Sequence, residues 1–236
     1  MINLMRTAYR RFWAWPRVRR TYHPLSVAEA FRRIYHTKAW GDNGEPFFSG
    51  AGSRGQVAEL YCDFVIQFIR ENQVRSVVDL GCGDFFVGRR IVEATGICYT
   101  GLDVVPELIE HHKNMVEDPR ANFLCVDITR ESLPSADLCL IRQVLQHLSN
   151  PEIALALMNL RNFPSTLISE DVPVRPKSFN RNKPHGPDVR SHYGSGVFVD
   201  QPPFSMPVAR LWDLPLTDKS LLRTALIVQG EVHHKQ

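Results

Sequence analysis

Apolar residues at Val57, Leu60, Tyr61, Phe64, Val65, Phe68 and Ile69 recur at spacings of three and four, which puts them on one face of an amphipathic helix. From residue 74 the period changes. The β-branched run 74–80 ends in glycines and predicts a buried strand, residues 85–94 suit a helix, and 98–105 a second strand. Pro106 takes the first position of the next helix, whose Leu108, Ile109, His112, Met115 and Val116 share a face. Residues 122–128, 137–144 and 166–172 predict three more strands, and 221–228 a last one. Asn150-Pro151-Glu152 starts a helix before residues 153–163, and Ser26 with Glu29 forms a capping box ahead of Phe31, Ile34 and Tyr35. Strands alternating with helices predict an α/β fold: a mostly parallel central sheet, helices on both faces, ligands at the carboxyl ends of the strands.

Between these elements lie two punctuated regions. Trp40-Gly41-Asp42-Asn43-Gly44-Glu45-Pro46 runs into Ser49-Gly50-Ala51-Gly52-Ser53-Arg54-Gly55, and residues 173–210 are rich in Pro, Gly and polar side chains. The chain therefore divides into an arm with a lid-like loop (1–56) and one α/β domain (57–236) carrying a cap at about 173–210. Residues 50–55 match G-x-G-x-x-G letter for letter, but no strand precedes them, so the phosphate-binding context fails. They read as a lid over a ligand or as a plain connector.

Charge changes the picture only at the N-terminus. Arg6, Arg10, Arg11, Arg17, Arg19 and Arg20 fall in a stretch without acids, and the net charge of +3 leaves −3 for residues 29–236. Leu4, Met5, Ala8, Phe12 and Trp15 fall near one helical face. The segment reads as a contact for an anionic membrane surface, glycan or nucleic acid, as an arm packed on its own domain, or as a transit peptide. Apolar runs stop short of a membrane span and no signal peptide is visible. Five cysteines without a CxxC pair argue against a disulfide framework and for a reduced, cytoplasmic protein. Hydrophobic residues at 44% and charged residues at 22% exclude overall disorder.

The chemistry concentrates where the first strand ends, at Asp79-Leu80-Gly81-Cys82-Gly83. Glycine is needed where backbone takes positive φ or touches a ligand. The dinucleotide fingerprint asks for a third glycine at the position of Phe86, so a pyrophosphate ligand fits poorly. Asp79 would repel phosphate and accept from an ammonium group. Asp103 lies 20 residues past Gly83, where a carboxylate grips ribose hydroxyls. Asp127 closes the third strand, where its neighbours border a purine ring.

A nucleoside with a cationic amino-acid tail and no phosphate describes S-adenosylmethionine, and the sequence resembles the class I S-adenosylmethionine-dependent methyltransferases, whose fold is Rossmann-like. Asp79, Gly81 and Gly83 match the family's first motif, Leu102-Asp103 its ribose-binding acid, and Cys125-Val126-Asp127-Ile128 its adenine-side motif. Residues 137–148 resemble its fourth strand and the helix after it. The resemblance implies cofactor contacts at Asp79, Gly81, Gly83, Asp103, Val104, Asp127, Ile128 and Arg142. It implies no catalytic metal, since Arg142 stands where metal-dependent O-methyltransferases carry an acid. Replacing Asp103 by Ala is expected to remove cofactor affinity and leave the fold intact.

An aliphatic hydroxyl acceptor needs a base. His147, after the fourth strand, is the first candidate, against a structural histidine; Glu170 and Asp171, ending the fifth, are alternatives. His185, His192 and Tyr193 in the cap are candidates to line the acceptor site. Arg175, Lys177, Arg181, Lys183 and Arg190 give the cap enough charge for phosphate contacts, so nucleic acid competes as substrate. Gln201-Pro202-Pro203-Phe204 resembles a nucleic-acid amino-methylase motif but stands in the wrong order. The Trp40-Gly41 loop, the Ser-Gly-x-Gly-Ser loop, the Gln-His-Leu segment and the late Pro-Pro-Phe are similar to bacterial methyltransferases of polysaccharide and lipo-oligosaccharide pathways, including methylation of fucose on nodulation factors. That implies a sugar hydroxyl as acceptor, small-molecule or glycan. A non-catalytic scaffold that binds the cofactor is the remaining class. Oligomeric state is left open.

Overall fold

The computed structural model describes residues 21–229. The arginine-rich segment and its membrane, glycan and nucleic-acid readings lie outside the described residues. Seven strands form one sheet in the order β3-β2-β1-β4-β5-β7-β6. β1 (Ser76–Leu80), β2 (Cys98–Asp103), β3 (Ala121–Cys125), β4 (Leu138–Arg142) and β5 (Ser165–Pro173) pair in parallel, and β7 (Ser220–Val228) runs antiparallel to both β5 and β6 (Arg210–Pro215). This is the predicted Rossmann-like class I methyltransferase fold. The strand order reverses between β1 and β4, so a crevice opens where their carboxyl ends diverge.

Helices α1 (Val27–His36), α2 (Gly55–Glu71), α3 (Phe86–Thr95), α4 (Pro106–Met115) and α5 (Asn150–Asn159) flank the sheet. The capping box at Ser26 and Glu29 starts α1, and a second at Ser149 and Glu152 starts α5. Both follow from Ser at the N-cap and Glu three residues on, each side chain taking the other's orphan N–H. α1 belongs to the body of the molecule: its Val27, Phe31, Ile34 and Tyr35 join the same apolar core as β1 and β4.

Strand ends shift by one to three residues from the pattern, and three further features depart from it. The helix predicted from residue 85 starts at Phe86, because Phe85 sits in the left-handed region at φ 60°. Its ring packs edge-on to Phe123 at 4.9 Å and against Tyr99 at 5.2 Å, and that burial holds a bulky residue in a conformation it rarely adopts. The helix predicted after β4 is a single tight turn, Leu145–His147, followed by α5. β6 was not predicted. It is an edge strand with alternating half-buried and exposed residues between prolines, and its Trp212 rests on Phe64 of α2 with centroids 5.1 Å apart.

The cap is pinned by a side chain read earlier as a phosphate contact. Arg190 is 1% exposed. Its guanidinium donates to the carbonyls of Arg181, Leu145, Gln146 and Leu148 and to Asn150 Oδ1 at 2.7–3.1 Å. Lys183 is also buried and reaches the His147 carbonyl at 3.4 Å. Neither is available to a nucleic acid. Replacing Arg190 by Met removes a donor from five acceptors, a loss of about 3–5 kcal/mol. At this size that is a fall of roughly 10 °C in Tm, whereas exposed Arg175→Met should leave the thermal unfolding curve in place.

Candidate active site

The turn after β1 is held from three sides. Gly81 and Cys82 both donate their N–H to the Leu102 carbonyl, at 2.8 and 2.9 Å. Gly83 donates to Asp103 Oδ2 at 3.2 Å, and the His112 ring, from α4, donates to the Gly83 carbonyl at 2.7 Å. Gly81 and Gly83 have φ of +76° and +53°, and a Cβ would drive Gly81 into Val144 and Gly83 into Ser49. Glycine is therefore required twice, by conformation and by contact. Asp103 also accepts from Val105 N–H at 3.1 Å. The expectation that Asp103→Ala spares the fold is thereby corrected, since Ala would orphan two buried donors.

Around this turn lies a cavity of about 370 Å³, a ligand-sized space. Asp79, Gly81, Gly83, Asp103, Val104, Asp127, Ile128 and Arg142 all line it. Asp79 and Asp103 are each 8% exposed, and burial raises both carboxyls to about 6. Asp79 Oδ2 accepts the Tyr99 hydroxyl at 2.6 Å. Among the described residues neither acid forms an ion pair. Asp127 lies beyond the end of β3, and its Oδ1 accepts the N–H and hydroxyl of Thr129 at 2.9 and 2.6 Å. It shapes the loop bordering the cavity.

The base candidates part company. His147 lines the cavity, its Nδ1 at 3.2 Å from the Gly186 carbonyl, which only accepts. Nδ1 therefore carries a proton and donates it, and the Asp188 backbone also bonds the ring. Burial, with Lys183 and Arg190 nearby, pushes the imidazole down to about 3, so it stays neutral and holds a proton poorly. Glu170 is 2% exposed and does not reach the cavity. Its two oxygens accept Leu145 N–H at 2.8 Å and Gln146 N–H at 3.2 Å. This acid, predicted as a base, instead fixes the turn that presents Gln146 and His147. Asp171 does line the cavity, its Oδ1 is buried without a hydrogen-bond partner, and burial raises its carboxyl.

Phe31, Tyr35, Trp40, Pro187 and Val189 make an apolar wall beside His147, whose ring lies 4.9 Å from that of Trp40. Residues 49–53 form the roof. Ser49 N–H and the Arg54 guanidinium both bind the Asp84 carboxylate, at 2.9 and 3.0 Å, while Asp84 N–H bonds Ser49 Oγ at 2.8 Å. The letter match at 50–55 is thus a wall of the cavity, built around Asp84 rather than around a phosphate. His185 pairs with Glu152 at 2.6 Å and, with His192 and Tyr193, stands outside this cavity. Tyr61, Gln146 and His112 were missed as site residues. Tyr61 and His112 fall on apolar helix faces, where spacing reads them as core.

Residues 77–163 match the sequence model of a family described as methyltransferase domain. NodS, an N-methyltransferase from Bradyrhizobium japonicum solved with S-adenosylhomocysteine, superposes with a TM-score of 0.58 at 12% identity, covering 84% of this chain and 98% of that one. Magnesium protoporphyrin IX methyltransferase from Synechocystis PCC 6803, with bound S-adenosylmethionine, gives 0.52 at 16%, covering 86% and 97%. Human N-acetylserotonin methyltransferase gives 0.53 at 14%, covering 97% and 69%. No curated protein matches the sequence.

The cavity fits S-adenosylmethionine: two buried acids lack a cation, and the glycine turn leaves no room for more than backbone. Asp103 would hold the ribose, Asp79 the ammonium, and Val104, Asp127 and Ile128 border the base. Below about pH 6 both acids take protons and lose their attraction for a cationic ligand. The Kd for S-adenosylmethionine should therefore rise by up to about tenfold per pH unit per acid as pH falls from 7 to 5. Calorimetric titration across that range checks this. Asp103→Asn, which keeps an acceptor for only one of the two backbone N–H groups, should lower the melting temperature less than Asp103→Ala and lose most of the affinity.

Proposed function

We propose that the protein is an S-adenosylmethionine-dependent methyltransferase that methylates a hydroxyl oxygen of a sugar, on a glycan or a small molecule. The observation that carries this is Asp171 Oδ1, a buried, unpartnered acceptor at the cavity wall. Gln146 Oε1 is a second buried atom of the same kind. Buried acceptors without partners are costly, so the cavity calls for a ligand bringing O–H donors. The aromatic side chains of Phe31, Tyr35 and Trp40 suit the C–H face of a sugar ring.

S-adenosylmethionine, when bound, supplies an electrophilic methyl group on a sulfonium. The chain's own part is to align the acceptor, exclude water and take one proton. Asp171 takes the hydroxyl proton as the oxygen attacks, and its raised affinity for protons suits it to that task. His147, neutral, orients the hydroxyl and stores no charge. A fucosyl group of a lipo-oligosaccharide is the narrower reading, in a reducing compartment where the five free cysteines stay unpaired. No described helix is long and apolar enough to cross a membrane.

Nucleic acid is the second reading, and burial of Arg190 and Lys183 weakens it. The Asp171→Asn variant should lower kcat about 10²–10⁴-fold with the Kd for S-adenosylmethionine unchanged. Radiolabel transfer to glycan and lipid-linked sugar extracts is the direct test. Label appearing only in RNA would overturn the acceptor class, and binding without transfer to any extract would favour a scaffold.

A further inference from the structure

His185 stands outside the cavity, yet both of its ring nitrogens meet groups that only accept. Nδ1 lies 2.6 Å from Glu152 Oε1, and Nε2 lies 3.1 Å from the Tyr22 carbonyl. A carbonyl has no proton to give. Glu152 has none either: burial works against its charge, but bonds from His185 and Ser149 hold the carboxyl down at about 2. Two acceptors need two donors, so the buried ring carries a proton on each nitrogen and is an imidazolium.

Three segments meet at this ring. Glu152 is in the first turn of α5, and Tyr22 precedes α1, its carbonyl also taking Leu25 N–H at 3.0 Å. His185 itself opens the stretch of cap that reaches the cavity. Gly186 exchanges two bonds with His147, its N–H to the His147 carbonyl at 3.0 Å and its own carbonyl to Nδ1 at 3.2 Å. The Pro187 carbonyl takes the Trp40 indole N–H at 3.3 Å. Pro187 and Val189 are the cap's share of the apolar wall, and Phe31 and Tyr35 are the share of α1. We propose that the doubly protonated His185 is a positioning residue that clasps these two shares of the wall together, so that methylation of the acceptor depends on its proton. This rests on the proposed function, in which the wall seats the acceptor.

Glu152 from α5, Lys183 from the cap and His23 from the segment before α1 stand around the ring. Glu152 is the one that bonds it, and that bond keeps the proton on above the usual imidazole value. The clasp is therefore complete at neutral pH and opens as pH rises through the raised value. A neutral ring has a single N–H, and the carboxylate, the stronger acceptor, keeps it. Tyr22 then loses its link to the cap.

The test follows the full chain, labelled with nitrogen-15 in histidine and tryptophan, by NMR from about pH 6 to about pH 10. His185 should show protons on both ring nitrogens at neutral pH and titrate above the usual imidazole value, with the Trp40 indole signal moving at the same midpoint. The Trp40 step should be absent in His185→Gln, which cannot titrate, and should persist in Lys183→Met. Label transfer from S-adenosylmethionine to a glycan extract should fall about 10- to 100-fold across that step in the wild type. In His185→Gln it should be flat there, with the Kd for S-adenosylmethionine changed by less than about threefold. A neutral His185 at pH 7, or a Trp40 signal that ignores its midpoint, overturns the clasp, and a transfer rate that ignores the step overturns the positioning role. If His185→Gln fails to fold, the matched midpoints of the wild type and of Lys183→Met decide. Absence of transfer while both NMR steps are present would instead count against the proposed function.

Discussion

The carboxylate of Asp103 binds the backbone of two neighbouring turns, and the site depends on that. Its Oδ2 takes Gly83 N–H from the turn after β1, and its Oδ1 takes Val105 N–H from the turn after β2. With Leu102 O accepting from Gly81 and Cys82, the ends of β1 and β2 are locked at a fixed separation. His112 closes the arrangement from α4. Neither glycine tolerates a side chain, so the turn has few alternatives. The geometry that would hold a nucleoside exists before any ligand arrives, so little ordering cost remains for binding. The residue best placed to read a ribose is also the one that builds its receptacle.

Such a site carries a cost in charge. Asp79 and Asp103 are buried far enough to raise both carboxyls to about 6, so at neutral pH the chain holds two acids that solvation alone would leave much stronger. Glu170, raised to about 8, is a third. Its burial has another origin: it caps the N–H groups of Leu145 and Gln146 close to Arg190, which bonds the carbonyls of the same two residues. One turn is therefore clamped by an acid on its donors and a base on its acceptors. What distinguishes the three is access: Asp79 and Asp103 line the cavity and Glu170 does not.

Much of this was legible in the chain. The helical period of α2, the β-branched run of β1, the capping box at Ser26 and the helix start at Asn150-Pro151-Glu152 fixed element types, and Asp79, Asp103 and Asp127 fell near successive strand ends as their spacing implied. What failed did so for tertiary reasons. Strand position cannot tell Glu170 from Asp171, because adjacent residues of a strand point to opposite faces and the fold decides which face is the cavity. Arg190 and Lys183 read as surface charge because a lone basic residue in a Pro-rich segment gives no sign that five carbonyl and amide oxygens will converge on it. Tyr61 and His112 hid among apolar helix neighbours. The strand β6 carried too little apolar pattern at a sheet edge to declare itself.

The lining of the cavity comes from different parts of the chain, and this bears on specificity. Asp79, Gly81, Gly83, Asp103, Asp127 and Arg142 lie within residues 77–163, the segment that matches the methyltransferase-domain model. Phe31, Tyr35 and Trp40 precede that segment, and Asp171, Pro187 and Val189 follow it. Gln146 is held by Glu170 and Arg190 from beyond the matched region. Under the proposed function, likeness of fold informs the cofactor's contacts, while the choice of acceptor rests on the side chains that α1 and the cap add to the lining.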